Sequence, residues 1–253
     1  MPHTVNDRTL TATTQPGSSR AAGRTRLLAL PQAPRWLLLG ILLAAAVLIL
    51  GLTVARTPGS SAGELGVDQN LSLHHVALLT GLAMALNLLF GPVAGLLAIA
   101  AVALFLLLAR GAPVNAVAFA LIAGAGWVAS EFFKLLVARE RPDAALLFDP
   151  LAPESGTDSF PSGHVTFAVT LAFAVYFLAR GTRWAKFAAV SGVVVVALVA
   201  WSRLYIGVHY PSDVAGSLLA GTAAVVLLAG LWNRFAPLAI RKASCRHFMH
   251  WPR

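Results

Sequence analysis

Charge is what this sequence has least of. Only 11% of its 253 residues are Asp, Glu, Lys or Arg, against about 25% in soluble domains, while 58% are apolar or aromatic. That scarcity excludes an ordinary water-soluble domain. A single cysteine, Cys245, excludes an intramolecular disulfide, and no Cys/His spacing matches a zinc site. The ten acidic residues form no cluster suited to Mg²⁺; Asp143, Asp149, Glu154 and Asp158 are spread along one segment and read as solvating it. No internal repeat is present. The net charge of +9 could suggest nucleic acid. Most of the cations, however, flank apolar runs, where they orient a membrane protein and meet anionic head groups, so no nucleic-acid partner follows.

What is present is a succession of long apolar runs. Trp36 to Val54 is uncharged for 19 residues, enough to cross a hydrocarbon core of about 30 Å at about 1.5 Å per residue. It exceeds the roughly 7–15 apolar residues of a cleavable signal peptide, so it reads as a retained span. Later spans are Val114–Val137, Ser162–Ala179, Phe187–Ile206 and Val214–Trp232. Arg56 to Leu73 reads as a polar connection. The 34 uncharged residues from Val76 to Ala109 fit two short spans, or one span at Pro92–Ala109 preceded by an amphipathic interfacial helix. Asn87, the pair His74/His75 and the Gly91-Pro92 break favour the second arrangement. Residues 1–35, rich in Ser, Thr, Gly, Pro and Arg, read as a disordered basic tail. Residues 233–253 read as a short basic C-terminal tail, which leaves 36–232 as one membrane domain.

Charge sidedness separates the alternatives. With one span in 76–109 there are six spans, both termini lie on one side, and that side collects 14 of the 19 cations, among them Arg110, Arg180, Arg183 and Lys186. The other side keeps Arg56, Lys134, Arg139, Arg141 and Arg203. The positive-inside rule therefore predicts an all-α protein of six spans with an interfacial helix before the second. Its termini are cytoplasmic, in the plasma (inner) membrane.

This arrangement gathers three polar stretches at the extracytoplasmic ends of the spans. They are Lys134 through Arg141-Pro142, Pro161-Ser162-Gly163-His164, and Ser202-Arg203 through His209 and Asp213. Ionisable groups at a membrane edge are expensive and read first as a functional site. Lys134, Arg141 and Arg203 suit an anion with several oxygens. Ser162 and Gly163 open a span whose free N–H groups suit phosphate, although a plain N-cap role for Ser162 is equally open. His209 and Asp213, four apart, share a face if the turn is helical, so a carboxylate could fix the ring tautomer and leave the other nitrogen free to attack. His164, on another span, could act as general acid.

The pattern Lys134-x6-Arg141-Pro142, Pro161-Ser162-Gly163-His164, Ser202-Arg203-x5-His209-x3-Asp213 resembles the three-part signature of the type 2 phosphatidic acid phosphatase superfamily, without gap or substitution. The resemblance implies a metal-independent lipid phosphatase with no cofactor, acting on a lipid phosphate or diphosphate substrate. Undecaprenyl diphosphate, phosphatidylglycerophosphate and phosphatidic acid are the candidate types. It implies His209 as nucleophile forming a phosphohistidine, Asp213 as its orienting base and His164 as acid. Lys134, Arg141, Ser162, Gly163 and Arg203 would hold the phosphoryl oxygens.

Two other functions remain: a phosphotransferase using the same site, and an anion transporter, which would spread polar groups through the spans. Glu131, three residues before Lys134, reads chiefly as its neutralising partner. Trp127, Trp201 and Tyr205 read as interfacial aromatic anchors. No chemical role is expected of His74 or His75.

Overall fold

The computed structural model describes residues 24–249. Its principal helices are α1 (Trp36–Arg56), α2 (Ser60–Leu73), α3 (Ala77–Phe90), α4 (Pro92–Leu104, continued by a π turn at Phe105–Ala109), α5 (Pro113–Val137), α6 (Gly163–Ala179), α7 (Ala185–Ile206) and α8 (Pro211–Met249). No strand occurs among the described residues. In hydrocarbon a span must satisfy its own backbone hydrogen bonds, which these uncharged runs can do only as helices. Proline opens α4 and α5 at a position where its missing N–H costs nothing. Gly207, at φ 78°, ends α7.

Five segments are long and apolar enough to cross a membrane: 36–56, 92–109, 113–137, 185–206 and 211–238. The apolar α6, 17 residues long, is shorter than these five and packs against α5, α7 and α8. Large apolar side chains such as Val128, Leu135 and Val193 face outward, as expected where the solvent is lipid.

The core lies between α5, α6 and α8, around Phe119, Ile122, Phe167, Phe177 and Val225. Gly126 permits the α5–α6 approach: a Cβ there would stand 2.5 Å from Thr170 Oγ1. Thr170 donates across the seam to Ala123 O at 2.8 Å, the small-residue packing that substitutes for a hydrophobic drive inside a bilayer. At the other end the buried Phe160 ring lies against Gly51 of α1 and Gly216 of α8, where added methyl groups would collide with it. This wedge fixes the chain just before Ser162.

Several expectations are corrected. The disordered tail was expected to reach residue 35, yet 24–35 is packed; residues 1–23 lie outside the described residues. Leu27 and Leu30 are buried, Leu27 N donates to Asn115 Oδ1 at 2.9 Å, and Trp232 Nε1 donates to Leu27 O at 2.8 Å. Two apolar residues with backbone partners suffice to hold a segment whose composition reads as disordered. The basic tail expected from 233 continues α8 to Met249, and Asn233 bonds to both backbone groups of Leu30. The polar connection 56–73 is largely helix α2, which buries Leu65, Asp68 and Ser72. Helix α3 is the expected helix before the second span, and α2 precedes it.

Candidate active site

The ends of α5 and α7 and the starts of α6 and α8 lie at one end of the bundle, beside α2, α3 and the 138–162 loop. All eight residues singled out in the sequence meet there.

Arg141 lies beside His209. Its Nη1 lies 3.4 Å from His209 Nε2 and donates to Val208 O at 3.2 Å. A guanidinium only donates, so the Nε2 lone pair faces the cation and the ring hydrogen sits on Nδ1. Nδ1 faces Asp213 Oδ2 at 3.6 Å, beyond hydrogen-bond length, and has no partner among the described residues. The expected His209–Asp213 bond is thus not formed. Asp213 is engaged elsewhere: Oδ2 accepts from Ser159 Oγ (2.5 Å) and Tyr210 N (2.9 Å), and Oδ1 from Arg139 Nη1 (2.6 Å). Burial, reinforced by Arg141 and opposed by Asp213, holds the His209 imidazole below the ordinary histidine range. At pH 7 the ring is neutral, as an attacking nitrogen must be.

Arg203 is fully buried at the end of α7 and donates to Asn87 Oδ1 at 2.8 Å. His164 Nε2 bonds to Asn87 O at 3.1 Å; a carbonyl only accepts, so Nε2 carries a hydrogen. Ser162 precedes α6, but its hydroxyl makes no capping bond. The oxygen is buried without a hydrogen-bond partner among the described residues. Gly163 follows, and a Cβ built on it would stand 3.8 Å from Lys134 Nζ, so the glycine leaves the space beside that ammonium open. Lys134 pairs with Glu131 at 2.9 Å, the neutralising contact expected from their spacing.

The loop acids do more than solvate. Asp158 grips Arg141 through Nε (2.8 Å) and Nη2 (3.1 Å), and Glu154 lies 2.7 Å from its Nη1. The Arg141 bond holds the Asp158 carboxyl at about 2. Carboxylates of this loop neutralise the cation. Asp149 instead pairs with His75 Nδ1 at 2.9 Å, while His75 Nε2 meets Tyr205 O. Tyr205 is buried, its hydroxyl accepting from Val76 N at 3.0 Å, and Trp127 stacks on Phe167 with centroids 4.1 Å apart. Tyr205 is covered by α3 and the bundle and Trp127 is half-buried against the core, so neither stands free as an interfacial anchor; Trp201 lies tilted against Tyr205 with ring centroids 4.7 Å apart.

Three site residues escaped the sequence reading. Arg139 sits within the first motif but counts there only as a cation; Glu64 and Asp68 sit in what read as a connection. Asn87, an amide in an uncharged run, was the one visible signal. Asp68 is buried without a hydrogen-bond partner among the described residues. Burial, then Asp213 and Glu64, raise its carboxyl to about 8 against the pull of Arg139.

The chain is similar to several known proteins. The chain is 32% identical to undecaprenyl-diphosphatase BcrC of Bacillus subtilis (strain 168) over 114 residues, 45% of this chain and 54% of that one. It is 33% identical to phosphatidylglycerophosphatase B of the same organism over 115 residues, 44% and 54% respectively. The matched stretch spans about half the length of these relatives. The crystal structure described as the first transmembrane PAP2 type phosphatidylglycerolphosphate phosphatase, also from Bacillus subtilis, superposes with TM-score 0.62 at 24% identity, covering 78% of this chain and 96% of that one. That likeness establishes the fold. The profile of the PAP2 superfamily matches residues 113–236, just under half of the chain, and this stretch holds every motif residue of the cradle.

Proposed function

We propose that the protein is a lipid phosphatase which hydrolyses a lipid phosphate or diphosphate at the extracytoplasmic face, through a phosphohistidine on His209. The observation that carries this reading is His209 Nε2 facing Arg141 Nη1 at 3.4 Å, with Arg203, Lys134 and a Ser162 hydroxyl that has no hydrogen-bond partner among the described residues around the same cradle. The names of the relatives support lipid diphosphates and phosphatidylglycerophosphate as substrate types.

In the first step Nε2 forms a bond to phosphorus while the bond to the leaving oxygen breaks, and His164 delivers its Nε2 hydrogen to that oxygen. The positive charge arising on the His209 ring faces Asp213. In the second step water attacks phosphorus, His164 takes the water proton, and the N–P bond breaks to release phosphate. Lys134, Arg141, Arg203, Ser162 and the Gly163 N–H hold the equatorial oxygens, where charge gathers in the transition state. No metal ion is required, because fixed cations and the α6 N-terminus supply that field.

Arg110, Arg180, Arg183, Lys186 and Arg234 lie at the bundle end opposite the cradle, which supports a cytoplasmic placement for that end and an outward-facing site in the plasma membrane. Phosphate release from a panel of lipid phosphates, in detergent with EDTA, tests the chemistry. Wild type should release phosphate and His209→Ala should not. Retained activity in that variant would remove the nucleophile assignment, and activity abolished by EDTA would remove the metal-free mechanism. For topology, a cysteine placed in 145–158 with Cys245 replaced should react with an impermeant thiol reagent in intact cells. Protection there would place the cradle inside.

A further inference from the structure

Arg139 lies within the first motif, yet it turns away from the phosphate cradle. Ala138, at φ 50°, adopts the left-handed conformation that ends α5, a costly choice for a residue with a Cβ. The Arg139 side chain beyond it is 1% exposed. Its Nη1 donates to Asp213 Oδ1 and Ser212 Oγ, both at 2.6 Å. Its Nη2 donates to Ser61 Oγ at 3.2 Å and Glu64 Oε1 at 3.4 Å. The guanidinium carbon sits 4.2 Å from the Tyr210 ring centroid. Glu64 accepts from Ser212 N at 2.8 Å and also accepts from the Ser212 hydroxyl. Every one of these partners comes from α2 or from the 210–213 turn that carries Asp213.

The division of labour on Asp213 is specific. Arg139 occupies Oδ1, the oxygen that His209 does not face, and leaves Oδ2 directed toward Nδ1. A lone cation here would cancel the negative charge that the phosphorylated imidazole needs. Glu64 offsets it. The Arg139–Asp213–Glu64 set carries +1, −1 and −1, so one net negative charge remains beside His209, and Arg139 is left to fix geometry. A buried charge set of this kind is poor evidence for stability and is better explained by specificity of arrangement.

We propose that Arg139 is a positioning residue for the His209–Asp213 pair, and that α2, through Glu64, is part of the catalytic apparatus and not a connection between spans. This rests on the phosphohistidine reading given above. As Nε2 takes the phosphoryl group, the Asp213 carboxylate closes on Nδ1–H from 3.6 Å to about 2.8 Å. Arg139 guides that closure while touching no phosphate.

The test is steady-state hydrolysis of farnesyl diphosphate, a short prenyl diphosphate, by the purified full-length protein in detergent. It compares Arg139→Gln, Arg139→Lys and Glu64→Gln, with Arg141→Gln as the phosphate-binding control. Misplacement of a catalytic group by about 1 Å costs on the order of 100-fold. Arg139→Gln should therefore lose that much in kcat per folded enzyme while KM changes little, and Arg139→Lys should recover part of the loss. Glu64→Gln should lower kcat to a smaller extent, whereas Arg141→Gln should raise KM. Wild-type kcat in folded Arg139→Gln would overturn the inference, as would a KM rise matching that of Arg141→Gln. If Arg139→Gln fails to fold, Glu64→Gln decides: lowered kcat at unchanged KM supports the inference, and wild-type kcat overturns it. Absence of phosphate release by the wild type from farnesyl diphosphate and from the wider lipid panel would overturn the phosphatase reading itself. Wild-type activity insensitive to these substitutions overturns the inference alone.

Discussion

Asn87 joins Arg203 to His164: its Oδ1 accepts from Arg203 Nη1 at 2.8 Å across 116 residues of chain, and its backbone oxygen meets His164 Nε2 at 3.1 Å. That backbone oxygen belongs to the last turn of α3, where carbonyls have no helical partner. One residue of a short apolar helix thus holds both Arg203 and His164. Asn87→Ala should free Arg203 for an incoming anion and tighten inhibition by orthovanadate several-fold. It should also lower the Tm, since a buried donor that loses its partner costs about 1–3 kcal/mol. Vanadate inhibition constants and a thermal-shift curve in the same detergent check both.

Ser162 offers a separation of function from stability. A hydroxyl that capped α6 would contribute about 1 kcal/mol, but Ser162 Oγ makes no capping bond. Ser162→Ala should leave the Tm unchanged and lower kcat/KM by about tenfold or more, equivalent to ~1.4 kcal/mol of lost transition-state stabilisation. A fall in Tm with kcat/KM intact would identify a cap.

Glu154 lies 2.7 Å from Arg141 Nη1 and is held by no backbone element longer than a turn. On the proposed function, phosphate competes with it for the same guanidinium. Glu154→Gln should lower KM for a lipid phosphate several-fold with little change in kcat. An unchanged or raised KM would show that the carboxylate assists binding.

The depressed pKa of His209 sets the acid side of the pH profile. Burial disfavours the charged ring, so protonation, which removes the attacking lone pair, requires a pH below the usual histidine value of about 6.5. The kcat/KM profile should therefore stay level through pH 6.5 and fall only at lower pH. An acid limb centred at or above that value would contradict the burial of the ring.

Asp68 makes the opposite prediction for stability. Its folded pKa of about 8 exceeds the ordinary 3.8, so the folded protein binds the proton more tightly than the unfolded chain does. Stability is fully present below the unfolded value and declines as pH rises toward 8. Asp68→Asn removes this titration, and its Tm advantage over wild type should grow from pH 5 to pH 9. Parallel Tm curves for the two proteins would show that Asp68 is ionised and satisfied in the fold.

Much of this protein is legible in its sequence. Uncharged runs of span length dictate helices because lipid offers no other partner for the backbone, and the asymmetric placement of Arg and Lys assigns the ends of those helices to two faces. Lys134, Arg141, Ser162, Gly163, Arg203, His164, His209 and Asp213 were identifiable because charge, hydroxyl and imidazole are conspicuous where nearly everything else is apolar. The same logic failed in the segment between the first two spans. There polar residues are ordinary, so Glu64 and Asp68 carried no signal, and Asn87 stood out without revealing its partners. Nor could spacing alone distribute the contacts of Asp213. The i,i+4 relation to His209 is correct, but the closest bonds of the carboxylate are to Arg139, Ser159 and Tyr210. Periodicity fixes which residues share a helix face and which bundle end they reach. Which charge a buried carboxylate pairs with depends on desolvation and on geometry across elements distant in the chain, and only the packed tertiary structure decides that.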